Sequence, residues 1–237
     1  MDVPMYAIPQ TGQRLGVQPR LASWDATGHP SQIRLKKFLS EAEKMYRPQL
    51  NQLPDPLALR LDVGLTGTTP LLDQHDLDNY LFPLSTRLSR ATGRAFASVW
   101  GIKRHSPDSR LGVTTAIPLQ ADGRPQVFDV RTTASSGTTA FKQQIDQQLT
   151  RAHVFPDGPL QLHIGFVVGP RRHWPNLWKP TIDALGKILG RTAPNRPWHP
   201  LDGRIVQLGL STRTDPNIGD HVALRINARP ADTPTTP

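Results

Sequence analysis

Residues 56–65, PLALRLDVGL, return in altered form at residues 159–168 as PLQLHIGFVV. Both open on Pro-Leu and continue as alternating or continuous apolar runs, the pattern of a strand buried on one or both faces. Similarity at this range sets the reading of the chain around it. Upstream of each run lies a helical pattern. Residues 31–47 carry Ile33, Phe38, Leu39, Ala42 and Met45 among polar residues, and residues 138–152 carry Phe141, Ile145 and Leu149 at i, i+4 and i+8. Downstream, Asn79-Tyr80-Leu81-Phe82-Pro83 matches Asn176-Leu177-Trp178-Lys179-Pro180, with Asn and Pro at the same spacing. Each half then closes on two strands read as a β-hairpin, residues 95–104 with 109–115 and residues 203–213 with 220–227, and Arg104 matches Arg213 at the turn. The order in both halves is helix, strand, helix, strand, strand.

The expected fold is therefore α/β (α+β), built from two tandem copies of one unit. The first copy with an N-terminal extension covers residues 1–116, a linker 117–137, the second copy 138–228, and a tail at 229–237 is expected to be disordered because it has nothing to bury. A chain carrying both copies can pair them about a pseudo-two-fold axis, as a homodimer would.

Charge points to the partner. The 237 residues carry a formal net charge of +9, and cationic side chains that neutralise phosphates release condensed counterions, which favours nucleic acid. A membrane surface would also call for an amphipathic basic helix. With no cysteine, disulfides, thiolate metal sites and cysteine nucleophiles are excluded, and a reducing compartment suits the chain. No apolar run reaches the roughly 20 residues that span a bilayer. The opening residues MDVPMYAIPQTGQRLG show neither a basic nor an apolar signal region, so the cytoplasm is expected. His173, His199 and His221 lack the close spacing of a zinc helix. Gly64-Leu65-Thr66-Gly67 has no Lys-Ser or Lys-Thr behind it, as a phosphate loop requires. Ser135-Ser136-Gly137 reads as linker.

The sharpest local motif is Asp73-Gln74-His75-Asp76-Leu77-Asp78-Asn79, opening a helix whose apolar stripe is Leu77, Leu81, Leu84 and Leu88. Two carboxylates on an entering turn can hold a hard cation such as Mg²⁺, which takes few protein oxygens and keeps several waters. The competing reading is helix capping, since Asp is favoured at the N-cap and in the first turn. Trp174, Trp178 and Trp198 could stack on bases, although Trp174 and Trp178 also stand one helical turn apart, as packing requires.

A strand, a loop, Asp-Leu-Asp-Asn opening an apolar helix and a β-hairpin behind it resemble the RusA family of Holliday-junction resolvases. The resemblance covers residues 31–115 and again 138–227. It implies two RusA-like copies, a DNA substrate and a Mg²⁺-dependent endonuclease, with paired aspartates, a lysine four residues after the second, an Asp-Ala-Leu helix end and a further aspartate before the next strand. In the first copy Asp76, Asp78 and Asn79 match, while Phe82 stands at the lysine and Gly93 near the third aspartate. In the second, His173 and Pro175 replace the paired aspartates, while Asn176, Lys179, Asp183-Ala184-Leu185 and Asp202 match.

Neither copy holds a full set; together they hold one. The resemblance thus implies Asp76, Asp78, Lys179 and Asp202 as catalytic residues, with Asp76, Asp78 and Asp202 on the metal. Arg171, Arg172, Lys179, Arg191 and Arg204 are the expected DNA contacts. Two readings stand: a decayed scaffold that grips DNA and cuts weakly or not at all, or one composite site made across the copies. Simple two-fold pairing separates the ancestral sites, so the composite needs an element exchanged between copies; partial or lost catalysis is favoured because metal ligation depends on ligand count and geometry. A non-catalytic basic protein of a nucleoprotein complex is the alternative from another class.

Overall fold

A computed structural model describes residues 2–22, 25–26, 28–119 and 127–231. In chain order the first half comprises β1 (Gln13–Arg14), α1 (Pro30–Gln52), β2 (Leu57–Leu65), α2 (Leu77–Thr92), β3 (Phe96–His105) and β4 (Arg110–Thr115). Then follow β5 (Val127–Thr132), α3 (Thr139–Gln148), β6 (Leu160–Val168), a 3-10 turn (Trp174–Leu177), α4 (Trp178–Asp183), α5 (Gly186–Leu189), a second 3-10 turn (Asp202–Arg204), β7 (Ile205–Thr214) and β8 (Val222–Pro230). The described strands form one eight-stranded mixed sheet in the order β1-β4-β2-β3-β7-β6-β8-β5. Among the described residues, no helix is long and apolar enough to cross a membrane.

Local sequence explains the elements. Pro30 opens α1, where its missing N–H costs nothing, and Leu35, Phe38, Ala42, Tyr46 and Leu50 face inward at helical spacing. That stripe differs from the expected one at Ile33, which is 57% exposed. The α2 stripe of Leu77, Leu81, Leu84 and Leu88 is buried as expected. Its counterpart is broken into a 3-10 turn, α4 and α5, although Pro180 matches Pro83, which lies inside the unbroken α2.

The same pairing pattern occurs twice. β2 runs parallel to β3 and antiparallel to β4; β6 runs parallel to β7 and antiparallel to β8. A register shift falls between Leu57 and Ala58 in one half and between Leu160 and Gln161 in the other. After each parallel pair the chain crosses the end of the central strand. Ser106 N–H donates to Leu65 O at 3.0 Å, and Asp215 N–H to Val168 O at 2.9 Å.

This arrangement corrects the two expected hairpins. β3 and β4 flank β2, and β7 and β8 flank β6. The reason lies in the apolar runs: β2 and β6 are buried along nearly their whole length, and a strand covered on both faces belongs inside a sheet. The expected linker also contains a strand. Residues 127–132 pair with β8 and cover backbone groups that an open edge would leave unpaired. Residues 229 and 230 extend β8, while residues 120–126 of the expected linker and 232–237 of the expected tail lie outside the described residues.

The halves join where β3 pairs antiparallel with β7, Trp100 opposite Gly209. The indole fills the space a side chain would need: a Cβ on Gly209 would lie 2.6 Å from the Trp100 ring. Trp100 Nε1 donates to Ser98 Oγ at 2.9 Å, and its ring stands 4.6 Å from that of His163. Helices of both halves share one core, with Phe82 on α2 in edge contact with Trp178 on α4. We expect Trp100→Ala to destabilise the protein by about 3–5 kcal/mol, because a buried aromatic is lost at a site that cannot collapse. Chemical denaturation should show one cooperative transition at lower denaturant, with both halves unfolding together.

Candidate active site

The loop after β2 enters α2 through a sharp turn. His75 adopts φ 66°, a left-handed conformation uncommon outside glycine. Its Nδ1 meets Tyr80 Oη at 2.6 Å. Asp76 occupies the N-cap, yet its side chain makes no cap hydrogen bond; among the described residues its one side-chain hydrogen-bond partner is Asn79 Nδ2 at 3.5 Å. Asp78, two residues on, is only 5% exposed. Its carboxylate has no hydrogen-bond or ion-pair partner among the described residues, only the longer-range fields of neighbouring charges. A capping hydrogen bond therefore does not account for Asp76, while Asp78 lies in the first turn, where the helix dipole favours an acid.

The turn before β7 comes to the same place. A Cβ on Gly203 would lie 2.7 Å from the carbonyl oxygens of Leu72 and Asp73, so only glycine allows this approach. Lys103, on β3 and 1% exposed, ties the two segments together. Its Nζ donates to Gln74 O at 2.9 Å, His75 O at 3.2 Å and Gly203 O at 2.7 Å. One ammonium thus holds the carbonyl before Asp76 and the carbonyl after Asp202. Lys179 on α4 reaches in from the other half and pairs with Asp202 at 2.6 Å and Asp183 at 3.0 Å. Lys142 takes the other oxygen of Asp183 at 3.2 Å.

Protonation equilibria reflect the crowding. Burial, opposed by Lys179 and reinforced by Asp76, Asp202 and Asp183, pushes the Asp78 carboxyl up to about 7. Burial also raises Asp76, with Asp202 adding to it. Lys103 is pulled down to about 8 by burial, against the attraction of Asp76, Asp202 and Asp78. Lys179 is raised: its burial is outweighed by Asp202, Asp78 and Asp183.

No protein-family model, curated protein or solved structure matches this chain.

The site thus rests on its own geometry. Asp76, Asp78, Lys179 and Asp202 stand together without any element exchanged between halves, which corrects the expectation that two-fold pairing keeps them apart. The β3–β7 pairing explains it: the end of β3 lies beside the start of β7, so the α2 entrance and the 202–204 turn share one end of the sheet. The donor set suits a hard cation. Asp76 and Asp78 offer oxygens not used in capping, and Mg²⁺ is commonly held by one or two carboxylates plus water. Asp202 is engaged by Lys179, and among the described residues no three histidine or carboxylate side chains form a finished metal cage.

The expected DNA contacts divide. Arg171 is exposed, with a 3.5 Å contact to Asp220, and Arg172 donates to Asp220 O at 2.6 Å. Both follow the end of β6, at the opposite end of the sheet from Asp202. Arg191 pairs with Asp146 at 3.5 Å. Arg204 is not a surface cation. It is 6% exposed, and its guanidinium donates to the carbonyls of Leu189 at 2.9 Å, Gly158 at 3.0 Å, Phe155 at 3.4 Å and Pro156. Trp178 is a core residue at 1% exposure, 4.8 Å from the Trp174 ring. Lys103 was not among the sequence candidates; its signal was a lysine at the same parity as Val99 and Gly101 in an apolar strand.

Two outcomes follow. A carboxyl whose folded pKa lies above its unfolded value stabilises the fold at low pH, and this contribution is lost as pH rises through the folded value. Asp78 should therefore lower stability between about pH 4 and 7, reaching a few kcal/mol at most. Asp78→Asn should melt higher than wild type at pH 8 in a chelator, and Mg²⁺ or Mn²⁺ should raise the melting temperature of wild type only. Arg204→Ala should cost about 3 kcal/mol by orphaning buried carbonyls, seen as a lower midpoint of chemical denaturation.

Proposed function

We propose that the chain is two diverged RusA-like copies folded as a pseudo-dimer, and that it binds branched or duplex DNA and hydrolyses phosphodiester bonds with Mg²⁺. Its single site would use Asp76 and Asp78 from the first copy with Lys179 and Asp202 from the second. The carrying observation is Asp78, a buried carboxylate with no bonded partner, in a cluster assembled from both halves. Burial makes ionising this carboxyl costly, a penalty that a bound cation would offset. The repeated pairing and matching register shifts support the duplication.

Asp76 and Asp78 would hold the cation, which when bound activates water and neutralises charge on the phosphate. Asp78 binds it only when ionised, so cation affinity should rise with pH up to about 7 and proton release should accompany binding. Lys179, half-exposed and kept protonated by Asp202, Asp183 and Asp78, presents a cation to the developing phosphate charge. Asp202 and Asp183 fix its position. Lys103 acts through position alone, keeping the Asp76 turn against the Gly203 turn. The +9 charge, exposed Arg171 and Arg191 and half-buried Arg172 support binding to the DNA backbone.

Affinity for DNA should fall log-linearly with salt and depend little on base sequence. Changing Arg171 and Arg172 to Glu should weaken binding to all sequences alike. Asp78→Asn and Asp202→Asn should each abolish Mg²⁺-dependent cleavage of a four-way junction while binding persists. If only Asp76 and Asp78 matter, the site is confined to the first copy. Junction binding without cleavage in Mg²⁺ or Mn²⁺ would leave a non-catalytic scaffold.

A further inference from the structure

We propose that this protein cuts only one strand per encounter with a DNA junction, having one cutting end and one gripping end. The inference rests on the endonuclease reading above and extends it to the product.

The residues lost from the two copies are not scattered. If Asp76 and Asp78 of one half work with Lys179 and Asp202 of the other, the counterpart site works with residues 173 and 175 and residues 82 and 93. Those positions hold His173, Pro175, Phe82 and Gly93. The counterpart is a real place in the fold: Gly93, His173 and Pro175 line one cavity of 330 Å³. It lies where β3 begins and β6 ends, opposite the end that carries Asp202. None of these four side chains can bind a hard cation through a carboxylate, and none brings a lysine.

The strand position matching Lys103 is lost as well. Counting from the shared register shift, it is Thr212 on β7, whose hydroxyl is buried without a hydrogen-bond partner among the described residues. Acids, lysine and positioning lysine are thus present together at one end and absent together at the other. Cations remain at the eroded end. Arg171 and Arg172 stand on the loop leading to His173, and exposed Arg90 lines the cavity. Such an end can hold phosphate oxygens without activating water.

At the intact end, the oxygen of one water forms a bond to phosphorus and one ester P–O bond breaks. The departing alkoxide gains a proton and becomes a hydroxyl; the proton released by water passes to solvent. The other new end keeps the phosphate, and the divalent cation is unchanged. One site performs this once, so the junction is left nicked and not resolved into two duplexes.

The test is a supercoiled plasmid bearing an extruded inverted repeat, treated with the full-length protein and Mg²⁺ at protein concentrations below and above that of plasmid. The expected result is nicked circle with linear DNA absent at low protein, because the first nick releases the supercoiling that keeps the repeat extruded and so removes the junction before a second encounter. Linear DNA formed in the first encounter, independent of protein concentration, would overturn the single-cut proposal while leaving the endonuclease reading intact. No cutting in Mg²⁺ or Mn²⁺ would overturn both.

Discussion

Everything in this molecule hangs on the antiparallel contact between β3 and β7. It turns two three-stranded units, β4-β2-β3 and β7-β6-β8, into the middle of one continuous sheet. It lets the helices of both units share a core. It also sets the end of one strand beside the start of the other, and every functional suggestion made above depends on that adjacency. Slipping the pairing by one residue would turn the inward side chains outward, moving Lys103 away from the turns it joins.

The cluster at that adjacency is held by opposing costs. Burial penalises the charged forms of Asp78 and Lys103; the field of Lys179 opposes it at Asp78, and those of Asp76, Asp202 and Asp78 oppose it at Lys103. Lys103 satisfies backbone carbonyls and leaves the acids free, so the group that orders the site does not neutralise it. Lys179 plays the complementary part, paired with Asp202 and Asp183 but more exposed. Tying backbone with a buried cation while sparing the carboxylates preorganises an anionic pocket without filling it.

Much of this was legible in the sequence because it is local. The two apolar runs, the α2 stripe and the matched Asn and Pro positions depend on spacing along the chain. What was misread depends on partners distant in sequence. The hairpins failed because a short turn between strands does not say whether a third strand lies between them; burial of β2 on both faces does. Arg204 looked like a surface charge because its carbonyl partners lie at residues 155–158 and 189, far from its own turn. The approach of Asp76 and Asp78 to Lys179 and Asp202 was not legible because strand order across the two halves leaves no mark in either half alone.

The Trp100–Gly209 contact has a consequence for the proposed ancestry. In a dimer of identical chains, the residue lying on the two-fold axis faces itself. Indole would meet indole, too much volume for one gap, or glycine would meet glycine and leave a hole. Here a large residue answers a small one, so each half fits the other better than it could fit a copy of itself. If the halves are fused copies, a single chain would free the two faces to change separately, and Trp100 filling the space over Gly209 is the kind of complementary couple such freedom allows.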